Sequence, residues 1–220
     1  MHRLLLLMTT ATYRAGAFLQ AANQLGVPVV VGSDRPQVLA AANPGGNLAV
    51  SFLAPDEGAR TILEFSREYP ITAVLAADDD GVILAAAASA ALGLRHNAVE
   101  AVAAARNKHR MREILAEAGL RSPRFQRVAI EADPEAVARE VSFPCVLKPL
   151  SLSGSRGVIR ANTVAEFAGA FRRVSAILRQ PAVAAQVGTL SRQILVESFI
   201  EGREVIAAWN SRLSQGERIR

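Results

Sequence analysis

The sequence FPCVLKPLSLSGSRGVIRA, residues 143–161, decides the fold of the second half of the chain. An apolar run that ends in Lys148 is followed by small polar residues, SLSGSRG, and then by a second apolar run. Because the connection is short, the two runs are predicted to pair as antiparallel strands. Small residues in such a loop let backbone N–H groups approach an anion, and Lys148 would add a fixed positive charge. The alternative is a glycine-rich hairpin in which Lys148 extends from a strand end into solvent.

The segments around this hairpin continue the same kind of structure. Apolar patterning predicts strands at residues 124–130 and 193–200 and helices at residues 133–141 and 163–179. The last strand, QILVESFI, contains Glu197 and is followed by a turn at Gly202. A strand that ends in a linker exposes backbone groups that can bind an adenine edge, and a nearby carboxylate can accept hydrogen bonds from ribose hydroxyls. The alternative is an ordinary strand with alternating acids and a glycine turn.

The first half of the chain alternates strands with helices. The predicted strands are residues 3–8, 28–34, 49–54 and 71–77, and the predicted helices are an alanine-rich segment ending at Leu25 and residues 56–69 and 81–92. This alternation favours a parallel sheet covered by helices. The first strand-to-helix turn lacks the G-x-G-x-x-G fingerprint, which argues against a dinucleotide-binding domain.

A helical segment connects the two halves. Asn97 precedes Glu100 by three positions, and this spacing predicts a capping box at the start of a helix. A second helical stretch ends at Gly119, and an extended segment begins at Ser122. The predicted organisation is a parallel α/β domain at residues 1–95, a helical joint at 96–122, an α+β domain at 123–205 and an atypical tail at 206–220.

Composition and charge limit the classes of binding partner and the cellular compartment that we expect for this protein. The formal net charge is +5, but the cations are scattered and not interleaved with aromatic residues, which argues against nucleic-acid binding. The longest apolar run, residues 82–94, is shorter than a membrane-spanning helix needs. The single cysteine, Cys145, is predicted to be a core residue of a cytoplasmic protein. His2, His96 and His109 lack metal-ligand spacing and are predicted to be structural or solvated.

Lysine is rare in this chain. Of its 25 lysines and arginines, only Lys108 and Lys148 are lysines. Such a bias is expected when base composition replaces Lys by Arg wherever either cation would serve. An ammonium is a compact point charge and a guanidinium is a planar fork, so a site shaped around an ammonium does not accept the exchange. Both lysines are therefore candidate site residues.

Together these segments resemble the ATP-grasp superfamily, especially the carboxylate–amine ligases related to biotin carboxylase and the carbamoyl phosphate synthase large chain. Three motifs carry the resemblance: an N-K-x-x-x-R context, a lysine before a Ser/Gly loop, and a V-E-x-[FY]-[IV]-x-G-x-E segment. They are matched, in that order, by Asn107, Lys108 and Arg112; by Lys148, Ser153, Gly154, Ser155 and Gly157; and by Val196, Glu197, Phe199, Ile200, Gly202 and Glu204. The resemblance implies an α/β fold in which a parallel-sheet pre-ATP-grasp domain, residues 1–95, precedes an incomplete α+β ATP-grasp domain, residues 123–205.

The resemblance also implies how these residues would act. ATP would lie between two small α+β lobes, with Lys108 and Lys148 on its phosphates and the Ser/Gly loop as a mobile lid. The adenine ligands would be Glu197 and the backbone after it, at Phe199 and Ile200, and the ribose ligand would be Glu204. Such enzymes transfer the γ-phosphoryl group of ATP to a small carboxylate, and an amine or thiol then displaces phosphate from the acyl phosphate. Mg²⁺ is the cofactor implied by the family.

The family also binds its substrate carboxylate near the strand ends of the pre-ATP-grasp domain. Asp78, Asp79 and Asp80 lie at such an end. Acids at this position also cap the following helix, and we favour the capping role.

The chain departs from the family pattern after the last motif. The metal ligands and a substrate-anchoring arginine of the family follow this point and have no counterpart here, so no residue is assigned to Mg²⁺. Residues 206–220, IAAWNSRLSQGERIR, turn polar where an alternating strand is expected. They are predicted to be the altered or out-of-frame end of a longer ligase, and Trp209 within them is given no role.

Two alternatives to a ligase remain open. A non-catalytic remnant would bind a nucleotide or a partner and would cover its strand edges by forming a homo-oligomer. A purely structural domain would bind no ligand. Carboxylate-dependent ADP formation excludes the first alternative, and a thermal response to Mg·ATP that depends on the two lysines excludes the second.

Overall fold

The computed structural model describes residues 3–10, 12–36 and 46–203. They form two four-stranded sheets, one from each half of the chain, and two helices that join them. His2, Glu204 and the predicted tail at 206–220 lie outside the described residues. Within the described ranges, no helix combines the length and apolar character needed to cross a bilayer.

The N-terminal sheet is parallel and covered by helices, as predicted. Its strands, in the order β3-β2-β1-β4, are β1 Arg3–Leu7, β2 Val29–Ser33, β3 Asn47–Ala49 and β4 Ile71–Ala76, and its helices are α1 Ala15–Gln24, α2 Pro55–Glu68 and α3 Val82–Ala91. Leu5 of β1 packs in one core with Ile62 of α2 and Leu84 of α3. Leu6 packs in a second core with Phe18 of α1. Because β1 is buried on both faces, its apolar run is continuous rather than alternating.

The C-terminal sheet is antiparallel, and it contains the hairpin predicted at residues 143–161. Its strands, in the order β5-β8-β6-β7, are β5 Phe125–Ala129, β6 Cys145–Pro149, β7 Ile159–Ala161 and β8 Gln193–Ser198. The helices of this half are α6 Pro134–Glu140, α7 Val164–Leu178 and α8 Pro181–Val187. Phe167 of α7 is fully buried in one core with Leu147 and Ile194 of the sheet. Cys145 is buried in the same core, as predicted.

The joint between the sheets consists of helices α4 Val99–Arg106 and α5 Lys108–Glu117. The predicted cap at Asn97 is wrong, because α4 begins one residue later than that role requires and its N-cap is Ala98, without a side-chain bond. Asn107 is a cap instead. Its side-chain oxygen accepts hydrogen bonds from the backbone of His109 and Arg110 at 3.1 and 3.2 Å. The boundaries of the domains at residues 95 and 122 stay predictions.

The third strand is shorter than predicted and begins earlier than residue 49. After β3, the Ser51 hydroxyl accepts a hydrogen bond from Ala54 N at 3.2 Å, just before α2 begins at Pro55. A serine that bonds the backbone locally competes with a strand ladder, which an apolar pattern does not reveal. The apolar pattern also missed the short helix α8.

The three acids after β4 do not cap α3 through their side chains, so the predicted capping role is wrong. A short 3-10 turn precedes the helix, and Asp78 at its start makes no side-chain capping bond. Asp79 pairs with Arg106 of the joint, and Asp80 accepts hydrogen bonds from Gln186 of α8. The carboxylates of Asp79 and Asp80 therefore bind residues distant in sequence instead of the backbone at the start of α3.

Gly157 closes the Ser/Gly loop, residues 151–157, against β6. Its φ angle is +77°, a conformation that residues with side chains rarely adopt. A Cβ atom at this position would also lie 3.0 Å from Pro149 Cγ and 3.4 Å from Ile177 Cδ1. Gly154 has a φ of +63° but open space where its Cβ would be. The two glycines share the backbone requirement and differ in their packing.

We expect Gly157→Ala to lower the free energy of unfolding by about 2–3 kcal/mol, because it adds both backbone strain and crowding. Gly154→Ala is the matched control and should cost about 1 kcal/mol from backbone strain alone. Urea unfolding followed by circular dichroism measures both values. Equal losses in the two variants would contradict the packing argument.

Candidate functional site

Strands β6 and β8 place two charged side chains on the sheet face opposite the core. Leu147 and Val196 pack into the core, so the alternate residues Lys148 and Glu197 project from the other face. In the strand register, Lys148 pairs with Leu195 and is therefore diagonal to Glu197. Its Nζ atom lies 2.5 Å from Glu197 Oε2.

Helix α5 supplies a second cation to the same carboxylate. Arg112 Nε donates to Glu197 Oε1 at 2.7 Å. The ring of His109, from the same helix, packs edge-on against Phe125 of β5 with 5.5 Å between ring centroids. These contacts hold α5 over the open face of the sheet, with Lys108 as the first residue of the helix.

Glu197 is buried, with 5% of its side chain exposed. Burial by itself would raise the pKa of its carboxyl group, but the hydrogen bonds and charges of Arg112 and Lys148 outweigh this effect and lower the pKa. The carboxylate is therefore ionised at neutral pH, and both of its oxygen atoms contact cations. In this structure the side chain anchors the site rather than facing open space.

Lys108 faces the start of the Ser/Gly loop. Its backbone N–H donates to Leu150 O at 2.9 Å, and its Nζ donates to Leu152 O at 2.7 Å. Burial lowers the pKa of the Lys108 ammonium, and the charges of Lys148 and Arg106 lower the pKa further. An anion near these cations would relieve that repulsion, so the arrangement favours a negatively charged ligand.

The Ser/Gly loop has the backbone of tight consecutive turns. Arg156 N and Val158 N donate to the carbonyl oxygens of Ser153 and Ser155 at 3.3 and 3.1 Å. Ser155 has a φ of +56°, which is uncommon for a residue other than glycine and recurs at functional loops. Ser153, Gly154 and Ser155 are exposed. The loop thus presents small side chains and accessible backbone close to both lysines.

The predicted adenine residues follow β8. Phe199 N donates to Pro144 O at 3.0 Å, which holds this segment against the start of β6. The guanidinium of Arg160, from β7, stacks on the Phe199 ring at 3.9 Å from its centroid. Ile200 is 66% exposed. The predicted ribose ligand, Glu204, lies outside the described residues.

A cleft of about 680 Å³ lies where the strands of the parallel sheet end. One wall is mainly apolar and includes Phe52, Leu53 and Pro55. The charged and polar side chains in its lining are Thr9, Asp34, Ser51, Asp79, Asp80, Arg106, Asn107, Ser151 and Gln186. The cleft therefore borders both the N-terminal sheet and the first residue of the Ser/Gly loop.

The structure brings Lys108, Lys148 and Glu197 together near the Ser/Gly loop, and Glu197 is the shared partner of Lys148 and Arg112. Sequence reasoning gave no role to Arg106 or Arg160. Because nearly all basic residues of this chain are arginines, composition cannot show which arginine has a role in the site. Only their contacts do so.

We expect Glu197→Gln to destabilise the fold by about 3 kcal/mol, because it leaves Arg112 and Lys148 without their shared counter-charge. The control is Glu135→Gln, whose carboxylate pairs with Arg172 on the exposed surface and should contribute less than about 1 kcal/mol. Urea unfolding at neutral pH measures both losses. Equal losses would show that burial adds nothing to the Glu197 contacts.

The lowered pKa of Glu197 also predicts acid sensitivity. The ionised carboxylate contributes its full stability above its ordinary pKa of 4.5, and this contribution is lost as the pH falls through the lower pKa of the folded state. The wild-type protein should therefore lose stability more steeply in this acid range than Glu197→Gln. Parallel curves of unfolding free energy against pH would refute the assignment.

Two family models match the chain. The model of the ATP-grasp N-terminal domain matches residues 19–96, which include most of the parallel sheet. The model of the ATP-grasp domain matches residues 141–210, which include the Ser/Gly loop and the segment after β8.

The curated relatives of this chain include a protein named as a synthase and one named as a ligase. Dapdiamide A synthase from Enterobacter agglomerans is 33% identical over 165 residues, which are 74% of this chain and 37% of the relative. Alanine–anticapsin ligase from Bacillus amyloliquefaciens is 29% identical over 147 residues, which are 67% of this chain and 31% of the relative. The chain thus spans about a third of the length of these relatives.

Among solved structures, an L-amino acid ligase from Bacillus licheniformis matches with a TM-score of 0.62 and 20% identity, over 91% of this chain and 45% of that one. At this identity, the match shows a shared fold. It covers the parallel sheet, the joint and the antiparallel sheet in the same order as the two family models. The chain belongs to the ATP-grasp superfamily.

Proposed function

We propose that this chain binds ATP and forms the nucleotide-binding part of an ATP-dependent carboxylate–amine ligase. One observation carries the proposal: both lysines of the chain, Lys108 and Lys148, converge beside the Ser/Gly loop. Chains rich in arginine keep lysine where a compact ammonium is needed. A polyphosphate is the ligand that such a pair of ammonium groups suits best.

The charge of this site fits the phosphates of ATP. Lys148 and Arg112 contact the buried carboxylate of Glu197, and the charges that act on Lys108 are two cations, Lys148 and Arg106, and two acids, Asp79 and Glu197. Counting Lys108 itself and Arg112, positive charge is in excess. The Nζ of Lys108 has a neutral carbonyl as its hydrogen-bond partner. Phosphoryl transfer depends mainly on positioning and on neutralising the charge of the transferred group. Fixed ammonium groups and accessible loop amides supply both.

Adenine is proposed to lie against the backbone that follows Glu197. The carboxylate of Glu197 is engaged by two cations, so hydrogen bonds to the base would come from main-chain groups near Phe199 and Ile200. The Arg160 side chain stacked on Phe199 fixes the position of this segment. The proposed ribose ligand is Glu204, which the family resemblance supports.

The proposed reaction has two steps. A carboxylate oxygen attacks the γ-phosphorus of ATP, the bond to the β-phosphate oxygen breaks, and ADP and an acyl phosphate form. An amine nitrogen then attacks the acyl carbon and loses a proton, and phosphate leaves. The names of the L-amino acid ligase and the alanine–anticapsin ligase support amino acids as the substrate class. The proposed substrate entrance is the strand-end cleft, which Ser151 of the loop also lines.

Magnesium is proposed to arrive as the Mg·ATP complex, on the strength of the family resemblance. Residues 3–10, 12–36 and 46–203 contain no group of three or more His, Cys, Asp or Glu side chains arranged to hold a metal ion. The steps assigned to the described residues are binding and orientation of the nucleotide.

A cytoplasmic location is also proposed. Cys145 is a free, buried cysteine. Burial raises the pKa of its thiol to about 11, so the thiol stays protonated and unreactive. A free thiol of this kind suits a reducing compartment.

Lys108→Met and Lys148→Met should each weaken Mg·ATP binding about tenfold or more, because each removes a charge-assisted contact to phosphate. Titration calorimetry at fixed salt concentration measures the affinities. The matched control is Arg110→Met, which removes a cation of α5 whose partners are the surface residues Glu113 and Glu117. Undiminished binding in both lysine variants would overturn the proposed phosphate site.

The lowered pKa of Lys108 predicts a pH dependence of binding. Phosphate binds the protonated ammonium, so the Mg·ATP affinity should decline as the pH rises through the Lys108 pKa, at a lower pH than for an ordinary lysine of pKa 10.5. Bound phosphate raises that pKa, so binding in this range should take up protons. Calorimetry in two buffers of different ionisation enthalpy detects the uptake, and Lys108→Met should lack it. The same uptake in Lys108→Met would assign the proton to another group.

Turnover distinguishes the ligase from the non-catalytic alternative. ADP release from Mg·ATP that requires an added amino acid supports the ligase. Tight Mg·ATP binding with no amino-acid-dependent ADP release supports the non-catalytic nucleotide-binding protein instead.

A further inference from the structure

Three successive carbonyl groups at the start of the Ser/Gly loop are bound by donors from the joint. Leu150 O accepts from the backbone N–H of Lys108 at 2.9 Å, and Leu152 O accepts from its Nζ at 2.7 Å. The carbonyl between them, Ser151 O, accepts from Arg106 Nη2 at 3.2 Å. The end of α4 and the start of α5 therefore hold the entry of the loop at consecutive residues.

Arg106 also reaches the acids at the end of β4. Its Nη1 lies 2.9 Å from Asp79 Oδ2, and its Nη2 lies 4.0 Å from Asp80 Oδ1. The Arg106 side chain is 22% exposed, whereas those of Asp79 and Asp80 are 52% and 36% exposed, so the guanidinium is partly buried and the acids remain accessible to solvent. The rigid fork of a guanidinium can hold a carboxylate and a carbonyl at once, which a single ammonium does less well.

The acid pair is held from the opposite side as well. Gln186 Nε2 of α8 donates to both carboxylate oxygens of Asp80, at 3.0 and 3.1 Å. Asp80 is thereby fixed between the N-terminal sheet and the helices of the C-terminal half. Arg106, Asp79, Asp80, Ser151 and Gln186 all line the same strand-end cleft.

We propose that Arg106 is a positioning residue that fixes the entry of the Ser/Gly loop and couples it to the Asp79–Asp80 pair at the substrate cleft. This inference rests on the proposed function, because the loop is assigned to the phosphates of ATP only there. Arg106 contacts the loop carbonyl and the acids simultaneously, so a change in the charge of the acids changes the position of the guanidinium. A change in charge at the acids of the cleft therefore alters the position of the loop that is proposed to lie over the phosphates.

The first test measures hydrogen exchange of the loop in the full chain without nucleotide. Arg106→Met should speed amide exchange across residues 150–158 about tenfold, because it releases the Ser151 carbonyl and the charge that holds the loop entry. Arg110→Met is the matched control, because the guanidinium of this arginine of the same joint bonds Glu113 and Glu117 on the surface, and its loop exchange should equal that of the wild type. Unchanged exchange in Arg106→Met would overturn the proposal.

The second test asks whether the acids act through Arg106. Asp79→Asn with Asp80→Asn removes both charges while keeping side-chain size, and it should also speed loop exchange. Added to Arg106→Met, the same two substitutions should speed exchange no further, since the connecting residue is already absent. Equal acceleration in both backgrounds would show that the acids act independently of Arg106 and would overturn the coupling. If Arg106→Met does not fold, Arg106→Lys replaces it, and that variant should show a smaller acceleration in the same direction.

A comparison of ATP with adenosine distinguishes a positioning role of Arg106 from a general loss of structure. Arg106→Met should weaken ATP binding about tenfold and leave adenosine binding unchanged, because only the phosphates contact the loop. Equal weakening for ATP and adenosine would contradict a positioning role. Absence of ATP binding in the wild type would overturn the proposed function, whereas the exchange measurements would still decide the role of Arg106.

Discussion

The buried carboxylate of Glu197 is the contact on which the candidate site depends. It joins a lysine of β6 to an arginine of α5, so a sheet and a helix from different parts of the chain are held at a fixed separation. Removing two cations and an anion from water is costly, and the arrangement persists because each carboxylate oxygen contacts a cation. Since α5 begins at Lys108, the same contact also places the second lysine over the sheet.

This constraint places positive charge beside a common antiparallel hairpin. A hairpin with a glycine-rich turn has no preference for phosphate by itself. Here burial and the neighbouring cations lower the pKa of Lys108, and this electrostatic setting supports the proposed phosphate site. The loop entry, bound at consecutive carbonyls by residues of the joint, keeps the loop within reach of both charges.

Much of the fold and part of the site follow from local pattern. The alternation of apolar runs with helical segments predicted a parallel sheet covered by helices, and the short loop after Lys148 predicted an antiparallel hairpin. Both signals come from residues that are close in sequence. The rarity and the motif context of both lysines predict that they are site residues, and this assignment stays a prediction. The cap at Asn97 and the capping role of the three acids after β4 were wrong. A capping role is lost when the helix begins one residue later, or when another residue binds the capping side chain. A local sequence pattern shows neither of these.

The sequence by itself determined the order of the elements, the two kinds of sheet and the lysines that qualify for a phosphate site. The tertiary structure alone decided that Glu197 faces Arg112 and Lys148, and that Arg106 bridges the acids after β4 and the Ser/Gly loop. The physical reason is distance along the chain: Arg112 and Glu197 are 85 positions apart, and Arg106 and Ser151 are 45 apart. Periodicity is local, whereas the pairing of charges depends on which surfaces the packed cores bring together.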